Sequence, residues 1–177
     1  MEALQFPKGN IYMIVCKAGD RALRIAENNP DDFEKSRIVS ADPNPQDLGQ
    51  LFMVENVNGK EDGYEIVNLL SSKVFDEEHR EIKLRTGKQK KDQLFLLEAA
   101  PIEAFHKYFW IKTSEKGKSA LELEGLLRYK DFEMNNEGQL FRFEQVNGNN
   151  TLNNTAVIIN NLSGKALDVP ASTFDKG

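Results

Sequence analysis

The tripeptide Gln-Leu-Phe occurs three times, beginning at Gln50, Gln93 and Gln139, and a Glu follows each copy at the same offset, at Glu55, Glu98 and Glu144. Two copies extend further: GQLFMVENVNG covers 49–59 and GQLFRFEQVNG covers 138–148. The third, DQLFLLEAAPI, lies between them at 92–102. Self-similarity at a period of a few tens of residues marks a chain built from repeated supersecondary units, none of which can bury its apolar face alone. Whatever this chain folds into must place three near-equivalent segments in near-equivalent surroundings.

The repeat continues upstream of each tripeptide. YMIVCKAGDRALRI begins at Tyr12, YEIVNLLSSKVFDE at Tyr64, the longer YFWIKTSEKGKSALEL at Tyr108, and AVIINNLSGKALDV at Ala156. Each reads as a short run rich in β-branched and aromatic residues, a small polar turn and a second short run, which is the signature of strands. In QLFMVE the alternation puts Leu51 and Met53 on one face and Phe52 and Val54 on the other. In QLFRFE, Arg142 lies between Phe141 and Phe143, so the Phe face is the one expected to be buried. The only helical expectation is one short turn in DDFEKSR around Phe33. Three units of about four strands solve their exposed-edge problem by closing on themselves. The expected fold is all-β, a barrel capped by hairpins with pseudo-threefold symmetry: a β-trefoil over 9–153, with units of about 9–58, 59–103 and 104–148.

Charge and composition narrow the function. The net charge is −5, from 23 basic and 28 acidic residues, which argues against a nucleic-acid binder driven by phosphate attraction. No apolar stretch is long enough to span a bilayer. The N-terminal MEALQFPKGN contains no apolar run of signal-peptide length, and the single Cys16 cannot form an internal disulfide. The chain as given is therefore expected to be cytoplasmic, with secretion the alternative if it is a fragment. The Asn-x-Ser/Thr triplets at Asn149, Asn153 and Asn161 would matter only in that second case. No phosphate-binding loop, dinucleotide fingerprint or Cys/His cluster is present, and neither His79 nor His106 has a nucleophile at a telling spacing. A non-catalytic protein with no cofactor is expected. Asp76, Glu78, His79 and Glu81 lack the spacing of a cation-binding loop, so no metal is expected either. Cys16, in the apolar run IYMIVC, is expected to be a buried small hydrophobe.

The pairing of GKALDV (164–169) with Gln-x-aromatic repeats resembles the ricin B-chain type of lectin domain, in which Gln-x-Trp, often relaxed to Gln-x-Phe, recurs once per trefoil unit. The resemblance spans nearly the whole chain, and it implies that Gln50, Gln93 and Gln139 are largely structural, their amides tying down neighbouring loops. It also implies sugar sites made of an Asp at the place of Asp168, an aromatic platform and a polar residue just before the Gln. Carboxylates accept hydrogen bonds from sugar hydroxyls, and an aromatic face covers the apolar side of the ring. No unit has the complete set. The first has Arg24 and Gly49, which leaves its site dead. The second has Asp76, Asp92 and Gln93, but Arg85 where the platform is expected. The third has Glu122, Tyr129 and Gln139, but Gly138 before the Gln. The fourth segment has Asp168 and no following Gln-Leu-Phe.

The expectation is a carbohydrate-binding module with degenerate sites for glycans or glycoproteins, of galactose or N-acetylhexosamine type. The alternative is a trefoil that recognises proteins, such as a protease inhibitor or targeting domain. The basic residues Arg85, Lys88, Lys90 and Lys91 are either a solvated loop or an attractor for an anionic sugar. Residues 154–177 begin a surplus fourth hairpin. It is either the start of a truncated second trefoil, a hairpin docked on the barrel or on a second copy in a homodimer, or part of a barrel permuted to begin near Gln46, in which case the N-terminal hairpin is the surplus one.

Overall fold

The computed structural model describes residues 6–7, 9–26, 33–57, 63–88, 90–101, 107–113 and 118–146. The expected fourth hairpin, Asp168 within it, the three glycosylation triplets and His106 lie outside the described residues. Twelve strands run in order: β1 (Ile11–Cys16), β2 (Arg21–Ile25), β3 (Ile38–Ala41), β4 (Leu51–Asn56), β5 (Tyr64–Asn68), β6 (Val74–Glu78), β7 (Glu81–Arg85), β8 (Phe95–Ala99), β9 (Phe109–Thr113), β10 (Ser119–Glu124), β11 (Leu126–Asp131) and β12 (Phe141–Gln145). Among the described residues the only helical elements are four single 3-10 turns, and no helix is long and apolar enough to cross a membrane. The segment around Phe33 forms a turn and an isolated bridge from Arg37 to Lys83 instead of a helical turn.

The first and last strands of each unit close a ring. β1 pairs with β4, β4 with β5, β5 with β8, β8 with β9, β9 with β12, and β12 returns to β1, every pair antiparallel. A closed ring removes the unpaired edges that a twelve-stranded open sheet would expose. The inner strands form three hairpins, β2–β3, β6–β7 and β10–β11, and β11 pairs with both β3 and β7 to gather them into one cap. This is the β-trefoil. Its first unit, β1 included, belongs to the barrel, so a ring permuted to begin near Gln46 does not occur.

Symmetric sequence produces symmetric burial. Phe52, Phe95 and Phe141 are each 0% exposed. They sit opposite Tyr12, Tyr64 and Phe109 on the neighbouring strands. Two residues along those strands, Ile14, Ile66 and Ile111 are also fully buried. Phe6 packs among Tyr12, Tyr64 and Phe109 at ring-centroid distances of 5.3, 5.8 and 6.4 Å, plugging that end of the barrel close to its pseudo-threefold axis. The third unit therefore starts one residue later than the sequence suggests, with Phe109 and not Tyr108 in the position of Tyr12. A one-residue slip exchanges the two faces of a strand. Tyr108 and Trp110 accordingly pack outside the barrel with Leu140, whereas Ile111 joins the central core and Phe109 packs against Phe6 at the end of the barrel.

Candidate functional site

Each Gln-Leu-Phe glutamine ends a 3-10 turn, at Leu48–Gln50, Lys91–Gln93 and Glu137–Gln139. There its side chain is buried, and its amide closes a loop in the same way three times. Oε1 accepts from the backbone N–H of Asn44 (2.9 Å), Lys88 (2.8 Å) and Glu133 (2.9 Å). Nε2 donates to the carbonyls of Asp42 (3.0 Å), Thr86 (3.2 Å) and Asp131 (2.9 Å). The second Nε2 hydrogen goes to a carboxylate: Asp47 at 3.4 Å, Asp76 at 2.7 Å and Glu122 at 2.8 Å. Both amide hydrogens and the amide oxygen, which would be costly to bury unpaired, thus each have a partner.

The carboxylates do not come from one place. Cap-hairpin register puts Arg24, Asp76 and Glu122 at equivalent positions, opposite Val39, Lys83 and Arg128. In the first unit Arg24 cannot serve the amide, and the acid comes instead from Asp47, which Arg24 Nε holds at 2.6 Å. Asp47 also caps its turn by accepting from Gly49 N–H at 2.9 Å, and Asn136 does the same for Gly138 at 2.9 Å. Neither Asp47 nor Asn136 is among the candidate sugar ligands of the sequence, although a short acceptor three residues before the Gln is a readable capping signal.

The third unit's residues are committed to structure. Glu122 is buried and engaged by Gln139, by Asn136 Nδ2 at 3.0 Å and by Lys130 Nζ at 3.3 Å. Tyr129 is 5% exposed and its ring stacks on Phe95 with centroids 6.5 Å apart. It occupies the position of Leu84 in the second hairpin, a core position, because Arg128 and Lys130 on either side take the outward face. A sugar platform at Tyr129 does not fit this placement. Burial also raises its hydroxyl pKa well above the usual range, with Glu77 adding to the shift.

The second unit is different. A cleft of about 470 Å³ opens beside Asp76 and Gln93, with Asp92, Lys88 and Lys90 around it. Asp76 is half-buried and, among the described residues, accepts one hydrogen bond, from Gln93 through Oδ2. Arg85, where a platform was expected, is tied back by Glu78, at 2.9 Å to Oε1 and 3.0 Å to Oε2. Lys83 Nζ also reaches Glu78 at 2.6 Å, and this bond, with Arg85 assisting, holds the Glu78 carboxyl below its usual range. Glu34 of the first unit lines the same cleft, paired to Lys73 at 2.9 Å. Its sequence separation gives no local signal of that meeting. The lining has five carboxylates (Glu34, Asp76, Glu77, Glu78, Asp92) against Arg85, Lys88 and Lys90, so the basic loop does not make the cleft anion-attracting. No group of three or more His, Cys, Asp or Glu side chains among the described residues is arranged to hold a metal ion. Cys16 is fully buried, and burial pushes its thiol up to about 11.

No protein-family model matches the chain, and no curated protein matches it in sequence. Solved structures do. A designed threefold-symmetric protein, ThreeFoil, superposes with a TM-score of 0.64 at 15% identity, covering 77% of this chain and 99% of that one. The BEL β-trefoil gives 0.61 at 17% identity, over 81% of this chain and 100% of its own. A Polyporus squamosus lectin, solved bound to the human-type influenza-binding epitope Neu5Acα2-6Galβ1-4GlcNAc, gives 0.63 at 19% identity over 80% of this chain. The matched region is half of that lectin's length, and it is between 18% and 33% of three larger matched proteins. At such identities the likeness is one of fold, and that fold is the β-trefoil.

Proposed function

We propose that the chain is a non-catalytic, lectin-like carbohydrate-binding module whose one working site is the cleft of the second unit. The observation that carries this is the state of Asp76. Its carboxylate is oriented by a buried glutamine amide, yet it stays half-exposed in a cleft that also presents Asp92, Lys88 and Lys90. Such a set of acceptors and donors matches the vicinal hydroxyls of a pyranose. The equivalent groups of the other units are spent: Arg24 pairs with Asp47, and Glu122 is enclosed by three side chains. Two of the three sites are degenerate in this sense. The excess of carboxylates over basic groups favours a neutral sugar, a galactoside or an N-acetylhexosamine, over an acidic one. With no aromatic among the described lining residues, affinity at this single site is expected to be weak, on the order of millimolar.

The test is an NMR titration with methyl β-galactoside and with N-acetylglucosamine, on the wild type and on Asp76→Asn. Saturable shifts at the amides of Asp76, Lys88 and Gln93, lost in the variant, are the expected result. Shifts that survive the substitution, or none at all, count against the proposal. In that event the second reading, protein recognition by the same loops, gains from Arg85 standing paired to Glu78 where a sugar platform would be.

A further inference from the structure

A second cavity, of about 220 Å³, adjoins the Asp76 cleft at the seam between the second and third units. The two share Glu77 and Asp92, which form a common wall. Beyond that wall Arg80, Lys91 and Leu94 of the second unit face residues of the third: Thr113 ends β9, Ser119 opens β10, and Tyr129 lies near the end of β11. The tip of the β6–β7 hairpin is fastened over this place, since Tyr129 N–H donates to the Arg80 carbonyl at 2.9 Å.

Tyr129 is the unusual member. Its ring belongs to the core, but its buried hydroxyl finds no hydrogen-bond partner among the described residues. Buried polar groups nearly always have a partner, and one without calls for an explanation such as a ligand or an ordered water. The third unit's other uncharged polar side chains near the seam are the hydroxyls of Thr113 and Ser119, and the charged groups balance: Glu77, Asp92 and Asp131 against Arg80, Lys91 and Lys130. A neutral, hydroxyl-rich guest suits that lining better than an ion does.

We propose that the site of the second unit is bipartite. One ring of a neutral disaccharide occupies the Asp76 cleft, and the second ring crosses the Glu77–Asp92 wall into the seam, where one of its hydroxyls pairs with the Tyr129 hydroxyl. This rests on the Asp76 cleft being a sugar site, and it adds that the ligand is at least two rings long.

Tyr129→Phe removes a single oxygen that bonds to no described residue, so the variant is expected to fold with an unchanged or slightly higher thermal midpoint. Wild type, Tyr129→Phe and Asp76→Asn are titrated by NMR with methyl β-galactoside, lactose, N-acetylglucosamine and chitobiose. At least one disaccharide is expected to bind roughly tenfold tighter than its monosaccharide and to shift the Thr113 and Ser119 amides. Tyr129→Phe is expected to weaken that disaccharide by roughly three- to tenfold, the worth of one neutral hydrogen bond, and to leave the monosaccharide unchanged. Equal binding of monosaccharide and disaccharide, or a Tyr129→Phe effect that is nil or common to both, overturns the second subsite while leaving Asp76 as a one-ring site; the seam then holds only water. Failure of all four sugars to bind overturns the subsite and the sugar-binding proposal together.

Discussion

A buried glutamine side chain carries two donors and an acceptor that must all be matched, and the three glutamines here meet that demand unequally. Gln139 is 0% exposed and binds the Glu122 carboxylate at 2.8 Å. Gln50 meets Asp47 at only 3.4 Å, and Asp47 has Arg24 as a closer partner. Gln139→Leu therefore removes a short bond from a buried carboxylate that keeps Asn136 and Lys130, and leaves the Asp131 carbonyl and the Glu133 N–H without the amide, and is expected to cost about 2–4 kcal/mol. Gln50→Leu leaves its carboxylate paired and is expected to cost about 1 kcal/mol less. Urea unfolding of both variants checks the order; equal losses would mean that the carboxylate contact contributes nothing. The same accounting explains the repeat itself, because a loop held through one amide tolerates any sequence between its anchor points.

At the scale of the unit, the first and third repeats solve one electrostatic problem with the charges exchanged. The third has an acid on the strand, Glu122, beside a neutral cap, Asn136, at 3.0 Å. The first has a base on the strand, Arg24, beside an acidic cap, Asp47, at 2.6 Å. Arg24→Glu alone places two carboxylates against one glutamine amide and is expected to destabilise by about 2–3 kcal/mol, as other broken, partly buried charge pairs do. Adding Asp47→Asn recreates the third unit's arrangement and is expected to recover most of the loss. A double-mutant cycle of thermal or urea denaturation measures the coupling. Additive penalties would show that the two arrangements are not interchangeable.

At the scale of the molecule, the ring of six barrel strands closes between β12 and β1, within Ile11–Gln145. No strand position in that ring is left for a fourth unit. A chain ending at residue 153 is expected to keep the thermal midpoint and the β-type circular dichroism of the full chain. A large fall in the midpoint would show that the segment beyond it packs on the barrel. The core faces repeat Phe52, Phe95 and Phe141, while the cap hairpins and the 3-10 turns carry most of the residues that line the Asp76 cleft.

The sequence alone determined what depends on local period and repetition. Three copies of Gln-Leu-Phe imply three units, the alternation in QLFRFE marks Phe141 as inward, and the family resemblance of the repeat implies a loop anchor in each copy. Tertiary structure decided everything that depends on faces meeting. In β9 all of Phe109, Trp110, Ile111 and Lys112 are buried, the Lys112 ammonium on Glu98 at 2.9 Å and over Phe132 at 3.8 Å, so no alternation survived to show that Phe109 and not Tyr108 faces in. The family resemblance implies a platform at Tyr129; the register of the β10–β11 hairpin, with Arg128 and Lys130 outward, puts its ring in the core. Glu34 joined the Asp76 cleft from another unit. A residue's neighbours along the chain set its strand and its parity. Which surface it finally shares is set by closure of the six-stranded ring together with the gathering of the three hairpins into the cap, a property of all twelve strands at once.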